Sequence, residues 1–254
     1  MEERELLIDN LKVKYYQTGN NNEIILILHG WGRGAQTWKE VQEILGKNFK
    51  TISLDLPGFG NSQEPNEIWG QKEYANLIYN FLEKLNIKEK VNLICHSFGG
   101  QLGVTFYNLY PEKVKRLILV SPAILKKNLT LRQKFINFLS KIKNFLPKFI
   151  AENSFIKKVV YRLGGANDYY LATNRMKEIF KKITQERETI NLDKIKIPTL
   201  LIWGKKDKIL PLSLAKKIQE KIENSKLEII ENCSHSPHIE NPKKLAEIIL
   251  NFIK

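Results

Sequence analysis

Short runs dense in Ile, Leu and Val recur along the chain, separated by stretches of helical periodicity, and this alternation most constrains what the polypeptide can fold into. Strands buried on both faces read as continuous apolar runs. The pattern therefore predicts an α/β fold, a mostly parallel sheet with helices on both faces. Eight strands are expected, at 5–8, 12–17, 24–28, 50–54, 91–95, 116–120, 199–203 and 226–230. Asp9-Asn10 is a turn-prone pair, and it leaves too little chain between the first two strands for a helical crossover. They should form an antiparallel hairpin at the sheet edge, with the later strands parallel. Helices fit at 36–45, 71–85, 98–110 and 213–222, and a last one begins at Pro242, a good first-turn residue.

The alternation stops after Val120 and resumes at Thr199, so about 75 residues of helical, basic sequence are inserted. We read 1–121 and 196–254 as one core domain and 122–195 as a helical cap. A length of 254 residues and a hydrophobic content of 43% suit such a domain and exclude disorder or a collagen-like chain. The net charge of +14 raises a nucleic-acid or membrane reading. However, the 41 basic residues comprise 34 Lys and only 7 Arg, where bidentate phosphate recognition would favour Arg, so no nucleic-acid partner is expected. Residues 122–195 hold 16 Lys and Arg against 6 Asp and Glu, which concentrates the excess in the cap. There Leu131, Phe135, Phe138, Leu139, Ile142, Phe145 and Leu146 fall at helical spacing, with Lys141 and Lys143 on another face. The plain expectation is a helix packed on the domain below. A sharper alternative is a surface helix that touches membranes or fatty substrates.

The longest uncharged stretch, 91–111, is interrupted by polar residues and is no membrane span. The charged start MEERELLIDN lacks the apolar segment of a secretory signal, and the chain is expected in the cytoplasm. Cys95 and Cys233 have no metal-ligand spacing and should be free thiols at the ends of well-separated strands. Neither a metal nor a cofactor is expected.

Chemistry concentrates in Val91-Asn-Leu-Ile-Cys-His-Ser97-Phe-Gly99-Gly100, an apolar strand that runs into a serine and then a helix. A serine at the apex of such a turn takes a strained backbone conformation, and its neighbours two residues away must be small. Gly99 fits. Cys95 stands where the pattern G-x-S-x-G has glycine. A serine hydroxyl needs a base, and the base needs an orienting acid. Asp207 lies just past a strand end in Trp203-Gly-Lys-Lys-Asp207, and His235 follows the last strand in Cys233-Ser-His235-Ser-Pro-His238. The order Ser97, Asp207, His235 is similar to that of the α/β-hydrolases, and the resemblance covers almost the whole chain outside the cap.

That resemblance extends to His29-Gly30-Trp31-Gly32, which matches the family's HG loop and implies an oxyanion hole from the Trp31 and Phe98 amides. Asp55-Leu-Pro-Gly-Phe-Gly60-Asn-Ser62 matches the loop D-x-P-G-x-G-x-S, whose role is structural. His29 and His96 read as structural histidines beside the two loops. His238 is the rival base, but the register H-x-x-x-x-E-x-P aligns His235 with Glu240 and Pro242. Ser234 replaces the glycine usual before that histidine, and Asp168 and Asp193 are weaker carboxylates, in the cap or at its exit. Gly30, Arg33, His96 and His238 are candidates for the substrate pocket, which Trp31 and Phe98 side chains would also line.

The implied function is hydrolysis of a small-molecule carboxylic ester through an acyl-enzyme. One alternative is a carbon-carbon bond hydrolase of the meta-cleavage type, or a related cyclohexadiene-carboxylate synthase, with Arg33 binding a substrate carboxylate. Another is a non-catalytic ligand-binding protein on the same fold.

Overall fold

The computed structural model describes residues 1–125 and 172–254. Eight strands form one sheet, β1 (Glu2–Ile8), β2 (Leu11–Thr18), β3 (Ile24–Leu28), β4 (Lys50–Leu54), β5 (Val91–His96), β6 (Val114–Val120), β7 (Thr199–Gly204) and β8 (Ser225–Ile230). Their spatial order is β1-β2-β4-β3-β5-β6-β7-β8. β1 pairs antiparallel with β2 and β2 with β4, while the remaining neighbours run parallel. Asp9 and Asn10 both take positive φ, 48° and 65°, the conformation that a two-residue hairpin turn requires.

β1 begins three residues earlier than its apolar pattern predicts. An edge strand needs only backbone pairing, so its polar first half aligns Glu2 with Gln17 and turns its charges outward, where Glu3 meets Lys14 at 3.1 Å.

The described helices are α1 (Lys39–Leu45), α2 (Gln71–Lys84), α3 (Phe98–Leu109), α4 (Asn174–Gln185), α5 (Ser213–Gln219), α6 (Pro237–Glu240) and α7 (Pro242–Ile253). The helix expected over 36–45 is divided, since Ala35–Trp38 forms a tighter 3₁₀ turn before α1. The four-residue α6 has no sequence periodicity to announce it. Alternation within each strand sorts the core into two layers. Ile24, Leu26 and Leu28 of β3 join the layer under α2, α3 and α5, whereas Ile25 and Ile27 join the one under α1 and α7.

The predicted cap helix over 131–146, with Lys141, Lys143 and Asp168, lies outside the described residues. Of the insertion, α4 packs on the body: Met176, Ile179 and Ile183 enter the first core layer. Polar ties reinforce that seat. Glu186 accepts the first amide of α2, from Gln71 at 2.7 Å, and the Thr173 hydroxyl lies 2.9 Å from both carboxylate oxygens of Glu64. No described helix is long and apolar enough to cross a membrane.

Candidate active site

Ser97 occupies the one-residue corner between β5 and α3, with φ 50° and ψ −111°. A non-glycine residue there is strained, and the surroundings must hold it. Three main-chain bonds do so. The Ser97 amide donates to Val120 at 3.1 Å, and its carbonyl accepts from Gly100 and Ala123, both at 2.9 Å. Gly99 permits the corner because a Cβ there would stand 2.5 Å from the Leu28 carbonyl oxygen and 2.7 Å from that of His29. The departure at Cys95 is absorbed one turn further along α3. Gly103 offers no Cβ, and the Cys95 sulfur fills the space that one would occupy. Both cysteines are free, and burial pushes the Cys95 thiol well above its usual range, so it packs as an apolar group.

The carboxyl ends of β7 and β8 carry the partners. Lys206 donates its amide to the Cys233 carbonyl at 2.8 Å, stitching the two loops together. Asp207 is fully enclosed, and its Oδ1 accepts the Ile209 and Leu210 amides at 2.9 and 2.8 Å. Its Oδ2 lies 2.8 Å from His235 Nδ1, and His235 Nε2 lies 3.0 Å from Ser97 Oγ. A carboxylate on Nδ1 requires the proton there, which leaves Nε2 to accept from the serine hydroxyl. The structure thus brings together side chains 138 residues apart.

His235 is held from two sides. His96 Nε2 donates to the His235 carbonyl at 2.8 Å. Glu240 accepts the Ser234 and Ser236 amides, at 2.7 and 3.3 Å, and also the Ser234 hydroxyl. The serine standing where the pattern has glycine is therefore a donor to Glu240. Burial works to raise the Glu240 pKa, but these donors together hold it below the usual carboxylate range.

The other histidines part company with His235. His29 spans two loops, with Nδ1 donating to the Gly30 carbonyl at 2.8 Å and Nε2 accepting from the Leu56 amide at 3.0 Å. His238 makes no hydrogen bond through either nitrogen and stacks on Trp38 with ring centres 4.5 Å apart. Burial first, then the His235 imidazole, lowers its pKa to about 3. His96 and His238 are both 2% exposed, so neither presents a ring edge to solvent.

Gly30 abuts the corner, since a Cβ on it would stand 3.3 Å from the Ser97 Cβ. The Trp31 amide follows in the chain, and Phe98 supplies the first amide of α3, a position with no intrahelical acceptor. Above them the rings of Phe59, Phe98 and Phe180 lie 4.7, 5.3 and 4.8 Å from that of Trp31. This wall includes Phe180 of α4, which the sequence pattern did not single out. A cleft of about 520 Å³ borders Trp31 and contains Arg33, Thr37, Phe59, Glu64 and Met176 among its walls. Asp55 fixes the floor, as its carboxylate accepts the Ala35 amide at 2.6 Å and the Asn61 amide at 2.9 Å. Among the described residues no cluster of His, Cys, Asp and Glu could hold a metal ion.

A strained serine at the strand-to-helix corner of a parallel sheet, in reach of a carboxylate-paired imidazole, defines the class of nucleophile-elbow proteins. The chain belongs to the α/β hydrolase fold family, whose model matches residues 23–162 and 163–242. It is 30% identical to human monoacylglycerol lipase ABHD6, over 90% of this chain and 74% of that protein. It is 27% identical to the 2-hydroxy-6-oxo-6-(2'-aminophenyl)hexa-2,4-dienoic acid hydrolase of Metapseudomonas resinovorans, over 99% of this chain and 90% of that one. Among solved structures, a bacterial membrane phospholipase A described as a virulence factor superposes with a TM-score of 0.76 at 24% identity, covering 99% of this chain and 85% of the other.

Proposed function

We propose that the protein is a serine hydrolase that cleaves carboxylic esters through an acyl-enzyme. The observation that carries this reading is the relay from Ser97 Oγ through His235 to Asp207, at 3.0 and 2.8 Å. In the reaction Ser97 attacks the ester carbonyl while His235 Nε2 takes its proton. The Trp31 and Phe98 amides receive the developing oxyanion, each contributing roughly 3 kcal/mol. The imidazolium then protonates the departing alcohol, and a water activated by the same nitrogen releases the acid. Asp207 remains charged throughout, held by its two amide donors, and stabilises the imidazolium. The aromatic wall of Trp31, Phe59, Phe98 and Phe180 suits an apolar acyl group. The lipase name of the ABHD6 relative favours the same bond type.

A second reading, carbon-carbon bond hydrolysis, draws on the Metapseudomonas relative and on Arg33, a residue of the cleft beside Trp31 whose positive charge suits a substrate carboxylate. Two measurements test both. A fluorophosphonate probe should label the wild type and not Ser97→Ala. An unlabelled wild type would favour a non-catalytic binder. Given labelling, a panel of short and long p-nitrophenyl esters against a vinylogous diketone separates the two. Faster cleavage of the diketone would overturn the ester assignment.

A further inference from the structure

Away from Ser97, Arg187 is a cation without a counter-ion among the described residues. Its Nε is closed to solvent and has no hydrogen-bond partner, and among the described residues no ion pair engages its guanidinium. Desolvation alone accounts for the lowering of its pKa. An unpaired, mostly buried guanidinium is costly, so a position like this calls for an occupant. Arg187 lines a second cleft, of about 480 Å³, within the range that small-molecule sites take. Lys221 adds a second cation to the lining and Asp193 a carboxylate, which leaves the lining net positive. The other side is apolar and comprises Ile124, Leu125, Ile190 and Leu192. A guanidinium fork matches two acceptor oxygens on one atom, and the apolar wall matches a hydrocarbon tail.

We propose that this cleft binds an amphiphilic carboxylate, with its head on Arg187 and its tail against Ile124, Leu125, Ile190 and Leu192. The site is separate from the Ser97 relay, but it shares a segment with it: Ile124 follows Ala123, whose amide donates to the Ser97 carbonyl. The inference does not depend on which bond the enzyme cleaves.

Protein labelled with ¹⁵N at arginine Nε tests it locally, the Arg187 signal being assigned by its loss in Arg187→Met. Octanoate should shift that signal saturably, while acetate and inorganic phosphate at the same concentrations should shift it at least tenfold less. Asp193→Asn, which removes the competing carboxylate, should lower the octanoate concentration at half-saturation. Arg187→Met should melt no lower than the wild type, because it removes an unpaired buried charge. An Arg187 signal unmoved by octanoate would overturn the proposal. So would equal shifts from acetate or phosphate, or a clear drop in melting temperature, which would assign Arg187 to the fold.

Discussion

Ser97 and His235, the nucleophile and base of the proposed reaction, are held in place by different means. Ser97 sits on a corner whose shape is fixed by main chain packed against main chain, where Gly99 has no room for even a Cβ. His235 sits on a loop whose shape is set by hydrogen bonds, from the Ser234 and Ser236 amides into the exposed Glu240 carboxylate and from His96 to its carbonyl. The first arrangement fails abruptly when perturbed, because repulsion rises steeply with overlap. The second should fail gradually, because water can replace a lost partner.

The largest effect is expected where the two regions meet. Asp207→Asn should keep the fold but lower kcat about 10⁴-fold by favouring the wrong imidazole tautomer, measured by steady-state ester hydrolysis. A loss below tenfold would mean that His235 is oriented chiefly by its loop. Gly99→Ala probes the packed side directly. Its Cβ would meet the Leu28 and His29 carbonyl oxygens, and we expect a loss of about 3 kcal/mol in urea unfolding together with loss of labelling at Ser97. A stable, labelled variant would show that the corner can relax.

Glu240→Gln probes the hydrogen-bonded side. The carboxylate is exposed, so screening limits the effect to about 1 kcal/mol, read as a three- to tenfold fall in kcat/KM with labelling retained. Inactivity as complete as that of Ser97→Ala would erase the distinction between the two regions.

His238→Phe should have the smallest effect at neutral pH, since the ring can still stack on Trp38. In acid it matters more. With a folded pKa of about 3, His238 stays neutral where an unfolded imidazole, with a pKa of roughly 6.5, takes up a proton. The unfolded state then binds more protons, and stability falls as pH drops from 6.5 towards 3. Replacing the ring should make that fall shallower, by up to about 1.4 kcal/mol per pH unit, as checked by urea midpoints at pH 7 and pH 4.5. An unchanged slope would mean that His238 does not titrate as described.

Legibility in the sequence follows the same division. The elbow was readable because its requirements fall on consecutive residues, Cys95 to Gly100, where the strand, the apex and the glycine must adjoin. The compensation at Cys95 was not readable, because Gly103 becomes relevant only when α3 lies back across β5. Glu240 was visible as a register mark, but its function as the acceptor for the Ser234 hydroxyl depends on α6, too short to leave a periodic trace. Phe180 and Arg187 lie in a stretch legible only as helical and basic. Their placement became definite when Met176, Ile179 and Ile183 seated α4, which carries Phe180 and leads into the turn 186–189 that holds Arg187.

The sequence by itself determined the sheet and singled out Ser97, Asp207 and His235, three side chains that lie within hydrogen-bond reach of one another. Periodicity is local, and a strand buried on both faces cannot disguise its composition. Only the tertiary structure decided which neighbours those side chains would have. It seated His96 under His235, left His238 without a hydrogen bond, and closed the Arg187 Nε off from solvent without a partner. Such outcomes depend on contacts between residues far apart in the chain, and no local pattern encodes them.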